Sequence, residues 1–67
     1  MTEFKEKARA HLDRGRIFGI QGKYKEAIEE YKKALKLDPS LKQALTNLKF
    51  TYYMAGMELH DGIRKKV

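Results

Sequence analysis

From Gly22 to Pro39 the chain reads G-K-Y-K-E-A-I-E-E-Y-K-K-A-L-K-L-D-P. Its apolar residues Tyr24, Ala27, Ile28, Tyr31, Ala34 and Leu35 recur at steps of three and four, which winds them onto one stripe of an α-helix. The spacing predicts a helix over 24–38, with Lys25, Glu29 and Lys33 alternating in charge on its outer side. Gly22 loosens the chain just before it. Asp38-Pro39 ends it, because the residue before a proline is pushed out of helical geometry. Alone, such a helix leaves its apolar stripe in water, so it needs partners.

Two flanking segments supply them. Residues 2–21 predict a first helix, with Phe4, Ala8, His11, Gly15 and Phe18 on one side and Leu12 at the edge of that stripe. Glycine inside an apolar stripe costs helix stability, so Gly15 and Gly19 point to close approach of a neighbouring helix. Gln21-Gly22-Lys23 is then a short turn, which folds the next helix back antiparallel. After Pro39, Ser40-Leu41-Lys42-Gln43 has the S-x-x-Q spacing of a capping box. It opens a third helix over about 40–56, whose inner stripe is Leu41, Ala44, Leu45, Leu48, Tyr52 and Ala55. Gly56 weakens that helix, and Asp61-Gly62 is a candidate stop further on. Residues 62–67 read as a basic tail. The fold class is all-α: one small domain, 1–67, of three antiparallel helices.

The chain also repeats itself. At an offset of thirty-four residues Ala10 meets Ala44, Asp13 meets Asn47, Phe18 meets Tyr52, Ile20 meets Met54 and Gly22 meets Gly56. The match then fails, as Tyr24 meets Glu58 and Ala27 meets Asp61. A helix–turn–helix period of about thirty-four residues is that of the tetratricopeptide repeat. Gly15, Phe18, Gly22, Tyr24, Ala27, Tyr31, Ala34 and Pro39 stand where that family places its small and aromatic residues. The chain therefore resembles one and a half repeats of that family, the third helix acting as a cap. Arg14, His11 and Lys49 depart from the pattern: the family has an aliphatic residue, an aromatic and a small residue at those places.

The resemblance implies a scaffold that binds proteins or peptides on a concave face built from the first helix of each repeat. Carried over by position, that face is Arg9, Leu12, Asp13, Arg16, Gly19 and Ile20, joined by Gln43, Thr46, Asn47, Phe50, Tyr53 and Met54. Some members clamp a C-terminal carboxylate there with Lys and Asn side chains. Only Asn47 fits that clamp, while Leu12 and Arg16 occupy its first two positions, so no clamp is expected. Arg9, Asp13 and Arg16 read either as a recognition strip or as an exposed ion-pair ladder.

Composition narrows the function further. Sixty-seven residues without cysteine leave neither disulfides nor thiolate metal sites to reinforce a small core. The charged start M-T-E-F-K-E-K and the lack of a long apolar run make a soluble, cytoplasmic protein the expectation. The net charge of +6 allows an alternative, the binding of acidic ligands such as nucleic acid or an anionic membrane surface. Yet the Lys and Arg residues are dispersed, and Arg64-Lys65-Lys66 is the one basic run, which argues against nucleic acid as a partner. His11 lies alone on an apolar face and His60 beside Asp61, with no second pair at ligand spacing, so no metal or other cofactor is expected. Without a thiol, a nucleophile elbow or a phosphate-cradling loop, the sequence is not that of an enzyme.

The third helix adds one more expectation. Phe50, Tyr53, Met54 and Met57 lie opposite its inner stripe, and a helix apolar on both faces is normally covered on both. This predicts self-association into a homodimer or higher homo-oligomer, or the docking of a partner. A minimal structural repeat of engineered origin, with no natural partner, is the remaining alternative.

Overall fold

The computed structural model describes residues 2–56. They form three helices, α1 (Thr2–Ile20), α2 (Tyr24–Leu37) and α3 (Lys42–Ala55). Met57, His60 and the basic run at 64–66 lie outside the described residues. No helix among the described residues is long and apolar enough to cross a membrane.

Helix α2 holds the array together. It packs along α1 and along α3, whereas α1 and α3 barely meet each other. Its stripe provides the reason: Ala27, Ile28, Tyr31 and Ala34 are all buried, at the spacing seen in the sequence. They meet Ala8 and Leu12 of α1 and Ala44 and Leu48 of α3 in one core cluster, with Phe18, Leu35, Leu37, Leu41 and Tyr52 packed around it. Four alanines among eight core residues let the helix axes come close, at the cost of apolar area.

Glycine ends two of the helices. Gly22 takes the left-handed conformation, φ 79°. Its N–H donates to the Gly19 carbonyl at 3.0 Å, and the Lys23 N–H donates to Phe18 at 2.8 Å. That pair of bonds is a Schellman motif, which satisfies carbonyls α1 leaves open and turns the chain into α2. Gly56, the residue thirty-four positions on, repeats the conformation with φ 72°, and its N–H is held by the Tyr52 and Tyr53 carbonyls. So α3 stops at Ala55, where the sequence suggested only a weak point.

Four expectations are corrected. Phe4 is 58% exposed, not part of the core. Helix α1 has five residues more than α2, roughly 7 Å of extra length. Leu12 is fully buried, so it is neither at an edge nor available on a binding face. It is the largest fully buried side chain, in a core otherwise rich in alanine. On α3, Leu45 is 43% exposed and Thr51 takes the inner position, so the buried line runs Ala44, Leu48, Thr51. A threonine is tolerated there because its hydroxyl donates to the Asn47 carbonyl at 2.7 Å. Finally, the capping box does not form. The Ser40 hydroxyl and N–H both donate to Asp38 Oδ1, at 2.7 and 3.2 Å, and α3 starts at Lys42 with Leu41 as an uncapped N-cap. The turn around Pro39 has taken the serine that the helix would have used.

Candidate binding groove

The two helices on either side of α2 leave a groove of about 360 Å³ between them. Arg16, Gly19 and Ile20 of α1 form one wall, and Asn47, Phe50, Thr51 and Met54 of α3 form the other. Tyr24 and Tyr31 of α2 lie at its base. The wall residues follow from helical spacing. On α1 the core line is Ala8, Leu12, Gly15, and Arg16 and Ile20 fall beside it, one turn apart. On α3, Asn47, Phe50 and Met54 fall beside the core line in the same way.

Tyr31 joins core and groove. It is only 3% exposed, and its ring lies directly on the backbone of Gly15, closer than any side chain would permit. Its hydroxyl end points toward Gly19, beside Thr51 and the Arg16 guanidinium. Burial pushes its phenol above the ordinary value of 10.0, with the Thr51 hydroxyl and the Arg16 charge opposing that rise. The phenol therefore stays neutral at the bottom of the groove.

The groove is asymmetric along its length. Helices α1 and α3 both run antiparallel to α2 and so point the same way. Before the groove begins, these helices present Arg9, Asp13, Gln43 and Thr46, all exposed and polar. Their second halves present Ile17, Ile20, Phe50, Tyr53 and Met54, exposed by 54, 86, 60, 78 and 47%. Arg16 and Asn47 stand between the two zones. Arg16 pairs loosely with Asp13, at 3.9 Å and with both side chains more than half exposed, which makes the contact worth little.

Of the residues expected to form the concave face, Arg16, Ile20, Gly19, Asn47, Phe50 and Met54 come together here. Arg9, Asp13, Gln43 and Thr46 are exposed but do not line the groove, and Leu12 is removed from the face altogether. Among the residues expected for self-association, Phe50 and Met54 are walls of this same groove. Tyr53 is exposed beyond it, and Met57 is outside the described residues. Tyr24, Tyr31 and Thr51 were missed as groove residues. The tyrosines read as purely structural from periodicity, and nothing in a period tells that a phenol will cross the core to the far side.

His11 has a role of its own. Its Nδ1 donates to Glu30 Oε1 at 2.7 Å, and Lys33 Nζ stands 3.9 Å from the other Glu30 oxygen. This half-buried pair fastens α1 to α2 away from the groove. Among the described residues no three His, Asp or Glu side chains are grouped to hold a metal ion.

The architecture is that of a helix–turn–helix repeat with an open face between the first helices of successive units, a class that works by binding other proteins. A family model described as TPR repeat matches residues 15–56, more than half of the chain. The chain belongs to the tetratricopeptide repeat family, which is in general a non-catalytic protein-interaction repeat. No curated protein and no solved structure matches it significantly.

Proposed function

We propose that the protein is a non-catalytic docking module whose concave groove receives a peptide or helix of another protein. The observation that carries this reading is the convergence of Ile20, Phe50 and Met54 around a groove with a buried phenol at its base. Large apolar side chains left in water each forgo on the order of 1.5–3 kcal/mol, which a docked partner recovers. The cytoplasm is the compartment that suits such a scaffold. Amide chemical-shift mapping during titration with a peptide library tests it. Shifts at Ile20, Asn47, Phe50 and Met54 are expected. Shifts confined to the outward face of α2, around Lys32, would overturn the reading.

Self-association through α3 is the second reading. The observation favouring it is Tyr53, which is 78% exposed beyond the groove and extends the apolar surface of Phe50 and Met54 along the helix. Binding of acidic ligands by net charge is separated from both by salt, since charge-driven binding falls steeply as salt rises.

A further inference from the structure

Away from the groove, α1 and α3 each carry an exposed stripe of a single sign of charge. On α1 the exposed residues Glu3, Glu6, Ala10, Asp13 and Ile17 recur at steps of three and four, which winds them onto one side. Every acidic residue of α1 stands on that stripe, and its lysines and arginines fall to either side of it. Asp13 is held only loosely within its own helix, 3.9 Å from Arg16. On α3, Lys42, Leu45, Lys49 and Tyr52 recur at the same steps. This helix has no acidic residue, and its only charges are Lys42 and Lys49. Leu45 between them is 43% exposed.

The stripes also match in spacing. Glu6 and Asp13 are seven residues apart, as are Lys42 and Lys49, about 10.5 Å along each helix. Laid parallel, Glu6 meets Lys42, Ala10 meets Leu45, Asp13 meets Lys49 and Ile17 meets Tyr52. None of these residues lines the groove. Within one chain α1 and α3 barely meet, and both stripes are exposed apart from half-buried Tyr52, so a second copy is what brings them together.

We propose that copies of this chain associate head to tail, with the acidic stripe of α1 in one copy laid along the basic stripe of α3 in the next. This goes beyond the docking reading, and the contact differs from a symmetric one through Phe50 and Met54. Helices α1 and α3 point the same way, so a copy added in the same orientation presents its α1 parallel to α3, as the register requires. Such a contact is heterologous and leaves one stripe free at each end, so assembly stays open. Opposite charges meet at the contact, while the net charge of +6 on every copy opposes growth. One exposed ion pair contributes little, but two in register around Ala10 and Leu45 act together with the apolar area they enclose.

Sedimentation velocity on the full chain across a concentration series tests this, with Asp13→Lys, Lys49→Glu and an equimolar mixture of the two. The wild type should grow past a dimer as concentration rises. Each variant alone sets like charges against each other and should associate about tenfold more weakly, with an unchanged melting curve because both positions are exposed. The mixture should recover wild-type growth, since each variant then supplies the charge that the other lacks. A mass that stops at the dimer and ignores both substitutions overturns this inference and leaves symmetric association standing. A mixture that associates no better than either variant alone overturns it as well. A monomer at every concentration overturns both forms of self-association and leaves the docking groove untouched.

Discussion

At Gly15 the backbone of α1 lies so close to Tyr31 that a Cβ there would stand 2.5 Å from ring atom Cε1 and 2.7 Å from Cδ1. The ring is held in the core and has no room to yield, so Gly15→Ala should destabilise by about 1–3 kcal/mol. Gly19→Ala should do the opposite, because its nearest neighbour would be the Tyr31 hydroxyl at an ordinary 3.9 Å. Alanine in a helix is worth about 1 kcal/mol over glycine where space allows. Thermal melts of the two variants compare the signs directly, and equal effects would contradict the packing described. Both glycines were legible as points of close approach, but only one is, because a period assigns a face and not the side chain opposite. The Asp38 turn makes a second prediction at this scale. The Ser40 hydroxyl, more than the Ser40 N–H or the Lys5 charge, holds the Asp38 carboxyl below its ordinary value of 3.8, against a smaller opposing effect of burial. A lowered folded-state pKa adds stability that is present above the ordinary carboxylate range and is lost as pH falls through the lowered value. Ser40→Ala should therefore raise the Asp38 pKa in an NMR titration. It should also narrow the stability gap to wild type in acid compared with neutral pH.

Of the three helices, α2 was the most legible. Its stripe is dominated by one apolar face, its start is marked by Gly22 and its stop by Asp38-Pro39, and it spans Tyr24–Leu37 where 24–38 was expected. Ala27 and Ala34 are both fully buried on its two-sided contact with α1 and α3. Replacing either with leucine should cost about 1–3 kcal/mol, whereas Lys32→Leu on the exposed side should be close to neutral. Denaturant melts of all three would show whether α2 is the packed centre; similar costs at all three positions would refute it. Helix α3 was harder to read, since apolar residues occupy both of its sides. Hydropathy favours Leu45 over Thr51 as the inward residue. The structure makes the opposite choice because the line through Ala44 and Leu48 continues to residue 51, and a hydroxyl bonded to its own helix can be buried cheaply. The start of α3 was misread for a similar reason: Ser40 had two possible hydrogen-bonding uses, and the turn after α2 took it.

For the whole molecule the decisive feature is that the groove and the self-association stripe share Phe50 and Met54. In the sequence Phe50, Tyr53 and Met54 already stand in both sets. What the structure adds is the opposite wall, where α1 brings Arg16 and Ile20 alongside Phe50 and Met54. A docked partner and a second copy would therefore meet the same surface. A symmetric dimer through Phe50, Tyr53 and Met54 covers side chains that are 60, 78 and 47% exposed, and arrays this short gain from any additional neighbour. It also brings together two chains of +6, whose repulsion opposes the apolar gain. Such a dimer should strengthen as salt rises, because screening removes the repulsion and leaves the apolar contact intact. Light-scattering molar mass at high protein concentration, measured across a salt series, reads this out. For the self-association reading the expectation is a dimer favoured at high salt. Phe50→Glu and Met54→Glu should both abolish it and lose peptide binding, whereas Arg16→Glu should leave the dimer intact. A monomer at every concentration and salt would remove self-association and leave the groove to its partner alone.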